Sequence, residues 1–441
     1  MSTTRREFIK KGSLGLAASA VGMHAASYKR VIGANDQIGM AWVGLGRRVP
    51  AYYPSVAKAF NTKLHAICDV KKSQVTRVMG DLKKSDYEVA EPKVFEDYRQ
   101  LLENEDIDAV FLATPDHWHA PGTVMALEAG KHVYVEKPCS HNPYESAAMV
   151  DKQRATGKVV QMGNQQRSSG HTIEIINEIH NGAIGKAYKA VAFYSNGRGE
   201  VPKMTPSAPP DDLNWALFQG PAPRQDYYHN IWNYNWHWYG WKWGTAETGN
   251  NATHEVDVAR WALQVGHPRR VEVEAAKQHF PDDGWEMYDT MYATFDYDDG
   301  KTLHWDGKSR NGYNTYGSGR GTIIYGTEGS VFVNRSLYKL YDRSGKLLKE
   351  SSGESSEAGV QLGGGGDMST NHIHNFFEAI RGKAEQHSPI DEGAISTNLC
   401  HYANIAYQIG KGFEVDTENG EIYDREAMKL WKREYEPGWE I

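Results

Sequence analysis

Between residues 37 and 162, short apolar runs alternate with longer stretches whose apolar positions recur at helical spacing. The runs at 38–43, 63–68, 109–113, 132–135 and 159–162 lack a clean polar–apolar alternation, as strands buried on both faces do. Stretches near 51–60, 71–80, 96–103, 117–129 and 143–156 read as the helices between them. Regular strand–helix alternation of this kind predicts a parallel, doubly wound sheet of the α/β class. Past Gly163 the pattern changes. A helix near 171–180 leads to a strand near 186–195, a long irregular stretch rich in Pro, Trp and Tyr, and a helix over 250–265. From 270 to 342 apolar and polar residues alternate, in the runs 270–274, 287–295, 301–306, 321–325 and 330–334. That period predicts one large, mostly antiparallel sheet with one face covered. A Gly/Ser/Glu run at 351–367 reads as a loop, and helices near 369–381 and 391–410 close the chain. The expected organisation is an N-terminal segment over 1–35, a first α/β domain over 36–162 and a second over 163–441. The closing helices are free to pack back onto the first domain.

The N-terminal segment has its own signature. Thr3-Thr4-Arg5-Arg6-Glu7-Phe8-Ile9-Lys10 matches the address read by the bacterial twin-arginine export system. The weakly apolar run that follows, Gly12 to Ala20, is too short to span a bilayer. Ala18-Ser19-Ala20 fits a cleavage site and Ala25-Ala26 competes with it, so the mature chain is expected to start between about 21 and 35. The expected location is the periplasm or another exported compartment, reached after folding, with any cofactor already loaded. The 441 residues allow two domains with real cores. A net charge of −7 without a basic block argues against a nucleic-acid partner, and no later apolar run reaches membrane-spanning length. Cys68, Cys139 and Cys400 lie too far apart in sequence to form a disulfide framework.

The first run ends in Gly44-Leu45-Gly46-Arg47-Arg48-Val49. Two glycines allow a tight turn and close approach of backbone to a pyrophosphate seated on the next helix. The third glycine of the usual fingerprint is replaced by Val49. Asp69, at the end of the second run, stands at the distance expected of a carboxylate that binds both ribose hydroxyls. Such a carboxylate repels a 2′-phosphate and favours NAD over NADP, although Lys71 and Lys72 stand beside it.

Two further motifs, Ala113-Thr114-Pro115-Asp116-His117-Trp118-His119 and Glu136-Lys137-Pro138, each end a strand. With the opening turn they resemble the Gfo/Idh/MocA family of sugar and inositol dehydrogenases, in its twin-arginine-exported branch. The resemblance implies a Rossmann domain, a C-terminal α/β domain with an open sheet, and bound NAD. It places Arg47, Arg48, Thr114, Asp116, His119 and Glu136 around the cofactor, and Lys137 against both nicotinamide and the reacting hydroxyl. A lysine there can steady the alkoxide from which hydride leaves. The family's second signature is an Asp with a His four residues later. Here Asn250 and His254 hold those places, on one helix face. His254 is the expected general base and Asn250 a positioning group, since an amide carries no charge with which to raise the histidine.

The stretch from Tyr227 to Trp243 packs nine aromatic residues into seventeen positions. Such rings stack on the apolar faces of sugars, and they also make lids and subunit contacts. Trp236, His237 and Arg167 are the expected substrate contacts; for Arg167 a surface salt bridge is an equal alternative. The paired histidines His117/His119 and His372/His374 have no evident third ligand, so no metal is expected. Taken together, the sequence predicts an exported enzyme that oxidises a secondary hydroxyl, preferably C3, of a sugar or glycoside, or reduces the keto-sugar, with NAD held tightly. The rivals are an NAD-dependent glycoside hydrolase and a non-catalytic sugar-binding protein. A homo-oligomer is expected from the open sheet.

Overall fold

The computed structural model describes residues 37–441 apart from 88, 230 and 353–366, so the twin-arginine segment and most of the 351–367 loop lie outside the described residues. The first domain runs β1 (Ile38–Val43), β2 (Thr62–Cys68), α1 (Lys72–Lys84), β3 (Lys93–Phe95), α2 (Tyr98–Leu102), β4 (Ala109–Leu112), α3 (Asp116–Glu128), β5 (His132–Val135), α4 (Pro143–Thr156) and β6 (Val160–Met162). Its six-stranded sheet has the order β3-β2-β1-β4-β5-β6 and is parallel throughout. Every residue of β1 is buried, as two-sided packing requires. β3 was not expected: three residues at the sheet edge are too few to show a period. The helix expected at 51–60 is instead two 3-10 segments, Val49–Val56 and Lys58–Phe60. Pro50 and Pro54 lack the N–H that an α-helix uses and disfavour helical backbone in the residue before them.

The second domain begins with α5 (Gly170–His180), β7 (Ala187–Gly197), α6 (Trp215–Gln219) and α7 (Thr253–Leu263). It continues through β8 (Arg270–Ala276), β9 (Thr290–Asp296), β10 (Thr302–Lys308), β11 (Arg310–Asn311), β12 (Arg320–Gly326), β13 (Gly329–Val333), β14 (Leu337–Asp342) and β15 (Leu347–Ser352). The chain closes with α8 (Asp367–Ile380), α9 (Ile390–Ile409) and β16 (Phe413–Glu414). The strands form a ten-stranded sheet in the order β15-β14-β13-β12-β7-β10-β9-β8-β16, with β11 beside β7. All pairs are antiparallel except β7 with β10. The alternation seen in the sequence is the burial pattern: Leu303 and Trp305 of β10 are buried and their neighbours are not. Helices α5, α7 and α9 cover one face, while Tyr188, Tyr292 and Tyr316 stand exposed on strands and loops of the domain. From α8, Ile373, Phe376 and Phe377 join Trp42, Phe111 and Tyr134 in the core of the first sheet.

Candidate active site

The strands that build the site end in register. Val43 pairs with Leu112, Leu112 with Val135, and Val135 with Met162. The ladder continues one residue further, the N–H groups of Ala113, Glu136 and Gly163 donating to the carbonyls of Val43, Leu112 and Val135 at 2.8, 3.0 and 2.8 Å. Gly44, Thr114, Lys137 and Asn164 therefore emerge along one carboxyl edge, where open α/β sheets bind ligands.

Gly44 has φ +80°, and a Cβ there would lie 2.7 Å from the Ala113 carbonyl, so only glycine fits. A Cβ on Gly46 would meet nothing within 4 Å, which leaves that backbone open to approach. Asp69 braces the turn: Oδ2 accepts the Leu45 N–H at 2.6 Å and Oδ1 accepts the Lys71 N–H at 2.8 Å. Burial pushes Asp69 up to about 6, opposed by those two bonds and by Arg77 and Lys71. Each carboxylate oxygen retains acceptor capacity for a ribose hydroxyl. The turn, the bare Gly46 backbone and the braced carboxylate fit a dinucleotide. One expected contribution is smaller than foreseen, because a 3-10 segment follows the turn and supplies only a short helix terminus to a pyrophosphate.

Several residues expected around the cofactor are committed to one another. Arg48 Nε donates to Glu136 Oε1 at 2.7 Å and Tyr52 Oη donates to the same oxygen at 3.1 Å. Asp116 Oδ2 accepts from Thr245 at both the hydroxyl (2.6 Å) and the N–H (3.2 Å), tying α3 to the second domain. Burial lifts Asp116 to about 7, opposed by Thr245 and by the charge of Lys137. Glu136 and Asp116 thus brace the crevice. His119 Nδ1 donates to the Pro138 carbonyl at 2.6 Å, which makes Nε2 the acceptor. Among the described residues, that Nε2 and Thr114 Oγ1 are buried with no hydrogen-bond partner, which leaves both able to bond a ligand.

Lys137, Asn250 and His254 come together. The chain enters α7 through a π-helical turn, Thr248–Ala252, a distortion common at functional sites. Gly249 within it packs against Pro138 and Thr245, where a side chain would collide with the Thr245 hydroxyl. This close approach lets Lys137 Nζ donate to the Asn250 carbonyl. Burial lowers Lys137 to about 8, with Asp116 and Glu136 holding it up and Arg335 and Arg320 pressing it down. Burial also takes His254 well below the usual imidazole range, followed by the charges of Arg335, Lys137, Arg320 and Arg48. The ring is therefore a neutral acceptor, though one with a weak hold on a proton.

His237 belongs to the same site. Burial and then Lys137, Arg198, His119 and Arg47 lower it well below its usual range, and Trp236 lies with its ring centroid 3.6 Å from that of His237. Much of the aromatic segment is core instead: Trp238 stacks on Trp285 at 3.9 Å and Trp243 is fully buried. Arg47 is exposed and sits 4.8 Å over the Tyr234 ring. Arg167 is removed from the substrate set. Its Nε and Nη2 donate to Asp257 at 2.7 and 2.9 Å in a buried bidentate pair, which a sequence reading cannot tell from a surface pair or a free cation. Glu247, Tyr234, Arg198 and Arg320 were missed. Only Glu247 left a signal, its spacing of three from Asn250 on the approach to the helix.

Residues 38–164 match the oxidoreductase family with an NAD-binding Rossmann fold, and residues 215–332 match the GFO/IDH/MocA C-terminal domain. The chain belongs to the Gfo/Idh/MocA oxidoreductase family. Among curated members, an alpha-N-acetylgalactosaminidase of Shewanella oneidensis is 28% identical over 190 residues, 41% of each chain. One from Tannerella forsythia is 26% identical over 221 residues, 46% of this chain and 47% of that protein. The chain thus matches less than half the length of these relatives. Among solved structures, aldose-aldose oxidoreductase from Caulobacter crescentus, complexed with glycerol, covers 86% of this chain and 100% of its own at 18% identity and TM-score 0.62. Levoglucosan dehydrogenase in complex with NADH and levoglucosan covers 86% and 99% at 18% identity and TM-score 0.65. Likeness at that identity establishes the shared fold.

Proposed function

We propose that this protein is an exported oxidoreductase that oxidises a secondary hydroxyl, preferably C3, of a sugar or glycoside, or reduces the corresponding keto-sugar, and keeps its NAD bound. The observation that carries this reading is the placement of Lys137: on the carboxyl edge of the Rossmann sheet, bonded to the Asn250 carbonyl and close enough to shift His254. Sugar-acting proteins among the structural neighbours and the His237–Trp236 wall support a carbohydrate substrate. The Gly44–Gly46 turn and Asp69 would hold the pyrophosphate and a ribose of the dinucleotide, whose nicotinamide would supply the hydride acceptor; a captive cofactor would need a second carbonyl compound to take the hydride back. The chain's own residues do the rest. The Lys137 ammonium donates to the substrate oxygen and steadies it as its proton departs. Neutral His254 accepts that proton, and Asn250 orients the substrate.

The curated relatives favour a second reading, a glycoside hydrolase that works through transient oxidation. A ketone at C3 acidifies the C2 proton; a base removes it, the aglycone leaves with the bonding pair, water adds at C1 and the ketone is reduced again. No net redox change results. The protein purified without added nucleotide is the test. Its near-ultraviolet absorbance is followed as glucosides, galactosides and inositol are added. A stoichiometric rise from reduced nicotinamide supports the oxidoreductase. Glycoside cleavage without such a rise supports the hydrolase, and a denatured sample that releases no nucleotide overturns the captive cofactor.

A further inference from the structure

The carboxylates near the reacting position are mostly accounted for. Glu136 is bound by Arg48, Asp116 by Thr245 and Glu255 by Arg320. Glu247 differs, because its partners are the amides of the catalytic turn itself. It is 2% exposed, and its Oε1 accepts from Asn250 Nδ2 at 3.4 Å and from Asn251 Nδ2. Among the described residues its Oε2 makes no hydrogen bond, and it lies 3.3 Å from Arg198 Nε, whose guanidinium rests 5.3 Å over Trp238. On its other side the Asn250 amide donates to Tyr234 Oη at 3.1 Å. Tyr234 is itself pinned, in a left-handed backbone conformation with φ 74° that a bulky residue adopts only under constraint. The amide is thus clamped between a charge and a phenol, and the carbonyl of the same residue accepts from Lys137.

We propose that Glu247 is a positioning residue of this site: its charge orients the Asn250 amide and, through the π-turn, the carbonyl that holds Lys137. The inference rests on the oxidoreductase reading above for its effect on turnover. Glu247 carries, one residue pair away, the negative charge that Asn250 lacks. A neutral side chain of the same shape would turn an N–H toward Arg198 or toward the two amides, and either arrangement breaks the clamp.

The test uses the full chain in four forms: native, Glu247→Gln, Asn250→Asp and the double variant. In the double variant the amide now at position 247 donates to the carboxylate now at position 250, so the hydrogen bond runs in reverse between the same two positions at the same net charge. Glu247→Gln is expected to lower kcat by about 10- to 100-fold with sugar KM changed less than about threefold. Asn250→Asp alone sets two carboxylates against each other and falls comparably. The double variant recovers at least about tenfold over either single one. Unchanged turnover in Glu247→Gln, or a double variant no better than the singles, overturns the proposal. A second readout needs no turnover: the pH midpoint for acetylation of Lys137, followed by peptide mass spectrometry. It moves to lower pH in Glu247→Gln if the carbonyl loses its hold on the ammonium, and stays in place if Glu247 is only structural. If the native protein oxidises no sugar, the oxidoreductase reading fails separately, and this midpoint still decides the role of Glu247.

Discussion

The nucleotide crevice and the proposed substrate wall are built on opposite plans. In the crevice, Gly44, Thr114 and Lys137 follow adjacent parallel strands whose ends are in register, so the backbone ladder alone brings them together. In the wall, Arg198, Tyr234, His237, Glu247, Asn250 and Arg320 come from a strand end, an irregular aromatic stretch, a π-turn and a distant strand. Only side-chain pairing aligns them. The charge pattern differs too. Burial pushes Asp69 up to about 6 in the crevice, whereas it depresses His254 and His237 in the wall. A site assembled by backbone register tolerates change in its neighbours; one assembled by pairing depends on every partner.

Lys137 belongs to both regions, and its loss is expected to have the largest effect. Lys137→Met should lower turnover by about a thousandfold or more while resident nucleotide is retained. Full turnover in both Lys137→Met and His254→Gln would remove the assigned roles. Arg167→Ala breaks a buried bidentate pair and should cost about 3–5 kcal/mol in denaturant unfolding. Sugar KM among molecules that remain folded should not change; a large rise in KM would return Arg167 to the substrate wall. Gly44→Ala should cost about 1–3 kcal/mol from the left-handed backbone alone, with more from the clash at Ala113, and should release the nucleotide.

The pH dependence separates the two regions further. Lys137 is lowered to about 8 and is proposed to act as an ammonium, so kcat for oxidation should fall as pH rises through about 8. A rate that instead climbs through that pH would make the neutral amine the base. Asp69 is raised from 3.8 to about 6 in the fold, so the folded chain holds this proton more tightly than the unfolded one. Relative to Asp69→Asn, acidification through pH 6 should therefore add stability while nucleotide affinity falls, as measured by unfolding and by fluorescence titration. The smallest effect is expected from Trp236→Phe, which keeps a ring: about a threefold rise in sugar KM at constant kcat.

What was legible follows the same division. Strand runs and the Gly44–Gly46 turn, with Asp69 after the second strand, were readable because each is a local pattern with a fixed place on a parallel sheet, whereas Lys137 was singled out by the resemblance that Glu136-Lys137-Pro138 carries. The short edge strand at Lys93–Phe95 and the proline-broken helix at 51–60 escaped that reading, the first for lack of length and the second because prolines override helical spacing. Asn250 and His254 were singled out by resemblance to the family's Asp-and-His signature, whose spacing of four they share; the structure sets Asn250 in the π-turn and His254 in the first turn of α7. Arg167 and Arg48 show the limit: an arginine looks the same in sequence whether it meets a ligand, Asp257 or Glu136.

The sequence by itself determined the two sheets and the glycine turn after the first strand, because backbone periodicity and glycine sterics act over a few residues. The tertiary structure alone decided which charges are spent on one another. It committed Glu136 to Arg48, Asp116 to Thr245 and Arg167 to Asp257, and it set Glu247 against the Asn250 amide. The physical reason is that a buried charge must find a partner within a few ångströms, and that partner can lie anywhere along the chain.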